Sequence, residues 1–149
     1  MTFALDQFLP YRLSVAAARV SRRFARLYGE ESGISIPEWR VLAHLAQAGS
    51  VSVRDICARI DMDKSKVSRA ATRLEEAGLV EKLGHAGDRR LVALSLTSDG
   101  EALMARLGAI AAAFHADLLA ELGPHAGVIN ACLDRLINAN GGERDDNPL

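Results

Sequence analysis

Residues 50–97 read SVSVRDICARIDMDKSKVSRAATRLEEAGLVEKLGHAGDRRLVALSLT, and this stretch decides the fold. It divides into two short helices, a tight turn and a β-hairpin with a basic tip. Ser52 stands where a helix N-cap belongs, with Asp55 three residues on, and Val53, Ile56 and Ile60 form the buried side of the helix it opens. After Ile60-Asp61-Met62, Asp63 caps a second helix, and Gly78 marks its end. Val67, Ala70, Ala71, Leu74 and Ala77 recur at three- and four-residue steps and should face a core. From Lys64 to Arg73 this helix carries four positive charges and no negative ones.

At about 100° per residue, Ser65, Arg69 and Thr72 point away from the apolar stripe, and Lys66, Ser68 and Arg73 flank them. All six can donate hydrogen bonds to phosphates or base edges. Two capped helices with so short a link make a helix-turn-helix. A basic helix alone is more often a solvated face. The hairpin changes that reading. Apolar-rich runs at Leu79–Leu83 and Leu91–Leu96 flank Gly84, Gly87 and Asp88, and they place Arg89 and Arg90 at an exposed tip with no core to stabilise. A helix of this kind fits a major groove, and an arginine from such a tip fits the adjacent minor groove.

These motifs resemble the MarR family of bacterial winged-helix transcription regulators. Asp88-Arg89-Arg90 followed by Leu91-Val92-Ala93-Leu94-Ser95-Leu96-Thr97 is similar to the family wing pattern D-x-R-x5-L-T, with Gly100 where such proteins often have glycine. Arg73 to Lys82, RLEEAGLVEK, is similar to the end of the family's recognition helix and the entry to its wing. The resemblance covers roughly residues 10–140. It implies a mainly α fold with a small β-hairpin wing, namely a winged helix-turn-helix at 35–97. Terminal helices at 5–30 and 101–139 would form a dimerisation domain, and 140–149 a flexible tail, all within one MarR-like domain over 1–149. Arg90 occupies the motif arginine and is expected in the minor groove, Arg89 on phosphate, and Asp88 as a brace for the tip.

The 149 residues suffice for one domain or one subunit of an intertwined dimer. A hydrophobic content of 49% excludes a disordered chain. No apolar run approaches the ~18 residues that span a bilayer, and Arg12 and Arg19 bracket the run Leu13–Ala18, so the expectation is a cytoplasmic protein without membrane contact. Cys57 and Cys132 both sit in apolar helical patterns and are expected as buried thiols. The net charge of −1 hides an asymmetry. Residues 1–30 carry +3, 31–50 carry −1, 51–97 carry +2 and 98–149 carry −5. Local field rather than total charge steers association with DNA.

The flanking segments read as helices. The first starts between Asp6 and Pro10 and runs to about Tyr28, with Leu13, Ala16, Ala17, Val20, Phe24 and Leu27 on one face. A loop follows from Gly29 to Gly33. Ser35-Ile36-Pro37-Glu38 is a capping box opening a helix that buries Trp39, Leu42 and Leu45 and ends at Gly49. Thr97 caps a long helix to about Leu122, which Gly123-Pro124 breaks. A last helix carries Val128, Ile129, Cys132, Leu133, Leu136 and Ile137. Such apolar surplus calls for a second copy of the chain, as the resemblance also implies. Two-fold symmetry would set two reading helices on a pseudo-palindromic double-stranded operator.

Catalysis has no support. His44, His85, His115 and His125 are scattered, there is no HExxH, CxxC or GxSxG, and no Gly-rich phosphate loop is present, so neither a metal nor a cofactor is expected. The resemblance also implies a small aromatic or phenolic effector near the first, second and fifth helices, for which Arg12, Trp39 and His44 are the candidate pocket residues. The reading is therefore a ligand-responsive dimeric repressor. The alternative is a winged-helix DNA-binding protein without ligand response, architectural or constitutive.

Overall fold

The computed structural model describes residues 2–85 and 88–139, apart from the side chains of 85 and 88–91. The elements in order are α1 (Leu9–Ser32), α2 (Ile36–Ala48), β1 (Val51–Ser52), α3 (Val53–Ile60), α4 (Lys64–Glu76), β2 (Val80–His85), β3 (Asp88–Leu96), α5 (Ser98–Leu122) and α6 (Ala126–Ala139), with single 3₁₀ turns at Leu5–Gln7 and Gly123–His125. The three strands form one antiparallel sheet in the order β1-β3-β2. The chain divides into two compact units, Met1–Ala111 and Ala112–Leu149.

Local chemistry sets most boundaries. The Ser35 hydroxyl accepts from the Glu38 N–H at 3.4 Å, and Gly49 closes α2 by donating its N–H to the Leu45 carbonyl. α1 runs four residues beyond the expected end at Tyr28. The Ser32 hydroxyl donates to the Tyr28 carbonyl at 2.6 Å, and Gly33, left-handed at φ +71°, donates to the Gly29 carbonyl and stops the helix there. Gly29 thus sits inside the last turn, and the glycine that terminates is the one with positive φ.

The first unit is built on a core of Tyr28, Ile34, Val41, Leu42, Leu45, Val51, Ile56, Val67, Ala70, Ala71, Leu74, Val80, Leu94, Leu103 and Leu107. Trp39, expected in this core, is half-buried against it, with its ring stacked on Tyr28 at 5.4 Å and edge-on to Phe24 at 5.0 Å. Ala77, expected on the apolar stripe of α4, is exposed because it is the C-cap residue, beyond the last packed turn.

The sheet is larger than a hairpin. Val51 and Ser52 pair with Leu94 and Ala93, a third strand too short to leave a pattern in sequence. Strand β3 begins at Asp88, which pairs with His85, so Asp88, Arg89 and Arg90 are strand residues rather than turn residues. The head of α5 is locked onto the base of the wing. Thr97 donates its hydroxyl to the Gly78 carbonyl at 2.6 Å and its N–H to the Leu79 carbonyl at 3.1 Å, while its Oγ1 accepts from the Gly100 N–H at 3.1 Å. Gly100 passes so close to the Leu79 carbonyl oxygen that a Cβ there would collide with backbone.

The second unit holds the end of α5, the 3₁₀ turn and α6. No residue of α6 is buried, and Cys132 is exposed, unlike the buried thiol expected. The stretch Ser98–Ala139 is long and apolar enough by composition to cross a membrane. Its richest 18-residue window has mean hydropathy 1.4, although no unbroken apolar run of that length exists. Alanine-rich turns raise the average without forming a run.

Candidate nucleic-acid interface

The helix-turn-helix forms as its caps dictate. The Ser52 hydroxyl accepts from the Asp55 N–H at 3.1 Å, and the Asp63 carboxylate accepts from the Lys66 N–H at 2.9 Å. Between the two helices Asp61 is left-handed at φ +51°, a conformation that aspartate tolerates better than most residues and that makes so short a link feasible. The inner stripe of α4 is fully packed, with Val67, Ala70, Ala71 and Leu74 all 2% exposed or less. This packing fixes the rotation of α4 and so decides which side chains face outward.

The outward set is the expected one. Ser65, Lys66, Arg69, Thr72 and Arg73 are exposed and Ser68 is half-buried. They are not equivalent. Thr72 donates its hydroxyl to the Ser68 carbonyl at 2.9 Å, leaving its lone pairs free to accept. Arg73 lies 3.8 Å from the Glu38 carboxylate of α2, a loose ion pair that restrains its guanidinium. Neither Lys66 nor Arg69 has an ion-pair partner among the described residues. A helix with hydroxyls along its centre and free cations beside them can offer donors and acceptors to base edges and positive charge to phosphates.

Two hollows border α4. One, of about 250 Å³, lies on the side of Lys66, Arg69 and Arg73 and reaches Pro37. The other, of about 590 Å³, lies on the side of Lys64, Ser68 and Thr72 and reaches α3 and the wing through Arg54 and Lys82. Arg54 and Lys82 were absent from the sequence-based site. They reach the hollow from elements separated along the chain, so no local spacing signals them. The half-buried Cys57 also lines it. The side chains of Asp88, Arg89 and Arg90 lie outside the described residues.

The candidate effector residues do not converge within one chain. Trp39 packs on Phe24 and Tyr28. The His44 Nε2 faces the Arg59 guanidinium of α3 at 3.4 Å, and Arg12 is exposed about three turns before Phe24 along α1. Burial pushes the Tyr28 phenol above its ordinary 10.0; nearby Arg40 opposes this and Glu38 adds to it. Among the described residues no cluster of histidine, cysteine and carboxylates could hold a metal ion.

Residues 32–91 match the model of the MarR family. The chain is similar to a MarR family transcriptional regulator from Silicibacter pomeroyi DSS-3 of known structure, with 30% identity, a TM-score of 0.75, and coverage of 91% of this chain and 99% of that one. The chain belongs to the MarR family. Among MarR-family relatives, the HTH-type transcriptional regulator FarR of Neisseria gonorrhoeae is 35% identical over 78 residues, which are 52% of this chain and 53% of FarR. The chain spans about half the length of the curated relatives it matches. NadR, solved in complex with 4-hydroxyphenylacetate, is similar at 25% identity and a TM-score of 0.76 over 96% of this chain and 99% of NadR. The MarR assignment rests on the same segments that carry the helix-turn-helix and most of the wing.

Proposed function

We propose that this MarR-family protein is a homodimeric, sequence-specific DNA-binding transcriptional regulator of the bacterial cytoplasm, a repressor whose DNA binding responds to a small aromatic or phenolic ligand. The observation that carries the reading is α4. Its inner stripe is locked in the core, and its outer arc presents Ser65, Lys66, Ser68, Arg69 and Thr72 to solvent. The wing adds Arg90 for an adjacent minor groove and Arg89 for phosphate, with Asp88 bracing the tip. The helices within 5–30 and 101–139 supply the dimer contact, and 35–97 the winged helix-turn-helix. In a two-fold dimer the two α4 helices would meet successive major grooves about 34–36 Å apart.

NadR's 4-hydroxyphenylacetate supports the ligand class. Because Trp39, His44 and Arg12 do not meet in one chain, such a ligand would be completed by the partner chain's helices. The relatives are regulators, and catalysis has no part in the reading.

The test is selection of operators from a random duplex library, followed by binding of Arg69→Ala. The substitution should weaken binding to the selected operator by about 1–3 kcal/mol and relax its base preference. An unchanged mass and melt would accompany the loss. Wild-type affinity of Arg69→Ala for the operator would remove the base-reading role of α4.

A further inference from the structure

The cations around α4 are sorted onto two sides. At about 100° per residue, Lys64 and Lys66 fall on opposite sides of Ser65, with the hydroxyl stripe between them. The hollows follow this division. Lys66, Arg69 and Arg73 border the smaller, whereas Lys64 borders the larger with Ser68 and Thr72. On the larger side, positive charge comes from three elements, Arg54 of α3, Lys64 of α4 and Lys82 of β2, and among the described residues no carboxylate lines the space. The apolar part of its lining is Val53, Cys57, Ala71 and Val92.

A DNA strand presents the complementary pattern, an anionic phosphate alternating with an apolar deoxyribose. Resting on the proposed DNA-binding reading, we propose that the backbone of one strand crosses this hollow, held on its phosphates by Arg54 and Lys82, two side chains outside the recognition helix. Lys64 completes the rail. Lys82 is oriented for this by Glu75 of α4, whose carboxylate lies 3.2 Å from its ammonium. An ammonium has three donors, so Lys82 keeps Glu75 while donating to a phosphate. Glu75 is thus a positioning residue, tying the wing strand to the helix beside it. Recognition divides accordingly. Ser65, Ser68 and Arg69 discriminate sequence, while Arg54 and Lys82 set depth and register on any sequence.

The test compares Arg54→Gln and Lys82→Gln with the wild-type full chain, by fluorescence anisotropy on a selected operator and on a random-sequence duplex. Both Arg54 and Lys82 are solvent-exposed, so the substitutions should leave the fold intact, as circular dichroism melting and sedimentation would show. Each variant should flatten the slope of log affinity against log salt by about one unit. Between about 50 mM and about 200 mM salt the wild type should therefore lose about 4-fold more affinity than each variant. The loss at low salt should be equal on the two duplexes. Slopes unchanged in both variants would overturn the proposal, the result expected if these cations serve a small anion instead. A loss confined to the operator would overturn it too, by making them sequence readers. If the wild type itself binds neither duplex in a salt-dependent way, the DNA-binding reading fails, an outcome distinct from intact wild-type binding with silent variants.

Discussion

The reading head and the terminal helices use the same residue types at the same spacing, yet one closes its apolar face and the other does not. Leu42, Ile56, Val67 and Leu94 are wholly buried, drawn from three helices and a strand that seal one another. In α6, Val128 is 63% exposed and Ile137 70%, and α1 buries only Tyr28, leaving Leu9, Tyr11 and Leu13 open. Periodicity therefore reports which side of a helix is apolar, not whether the same chain covers it. A head whose core already takes in Tyr28, Leu103 and Leu107, with α6 and the start of α1 left open, is what a dimer of preformed heads requires.

Leu42→Ala should destabilise the head by about 2–5 kcal/mol, because the site is sealed on every side and cannot collapse fully. Urea denaturation should show the loss at every protein concentration. A concentration-dependent loss would mean that Leu42 belongs to the assembly rather than to the fold.

On the open side the behaviour should be the reverse. Leu133 is exposed on α6, where no residue is buried, so in Leu133→Glu the head should keep its secondary structure, while the proposed dimer should lose about 1.5–3 kcal/mol for the apolar side chain and more for the introduced charge. Sedimentation should shift from twice the chain mass of 16.0 kDa to the chain mass itself. A variant that stays dimeric would show that α6 is not the covered face.

Gly100 lies where α5 leaves the head. A methyl group there meets the Leu79 carbonyl, so Gly100→Ala should cost about 1–3 kcal/mol through forced separation of α5 from the wing. Thermal melting checks it, and an unchanged melt would mean that α5 slides at no cost.

The smallest effect is at alkaline pH. The unfolded phenol of Tyr28 ionises near 10.0 and the folded one only above that. Between those two values the unfolded state holds fewer protons, so stability falls as pH rises through the interval. Urea midpoints from about pH 9 to about pH 11 should fall less steeply in Tyr28→Phe than in the wild type. Equal slopes would place the phenol in contact with water.

What the sequence made legible was local. Ser35, Ser52 and Asp63 were readable as caps because a cap bonds an N–H three residues away, a distance the sequence itself displays. The outer face of α4 followed from its inner stripe by rotation alone. Pairings across the chain were not legible. Strand β1 exists because Val51 and Ser52 meet Leu94 and Ala93, and two residues carry no period. Glu38 meets Arg73 and Glu75 meets Lys82 only once the elements have packed, so the restraint on Arg73 and the cations of the larger hollow had no signature in spacing. Nor does the sequence tell Gly29 from Gly33 as the end of α1, because both are glycine and only Gly33 is left-handed.

Ser52 belongs to two structures at once. Its backbone pairs with Ala93 in the sheet, and its hydroxyl holds the Asp55 N–H at the head of α3. Peeling β1 from the sheet therefore releases the first turn of α3, and melting that turn frees β1. In native-state hydrogen exchange the Asp55 amide should open together with the amides of β3, as one cooperative unit rather than by independent fraying. The wing would then be no loose appendage. It shares its opening equilibrium with the helix that supports the reading helix, so a contact that steadies one should slow exchange in the other.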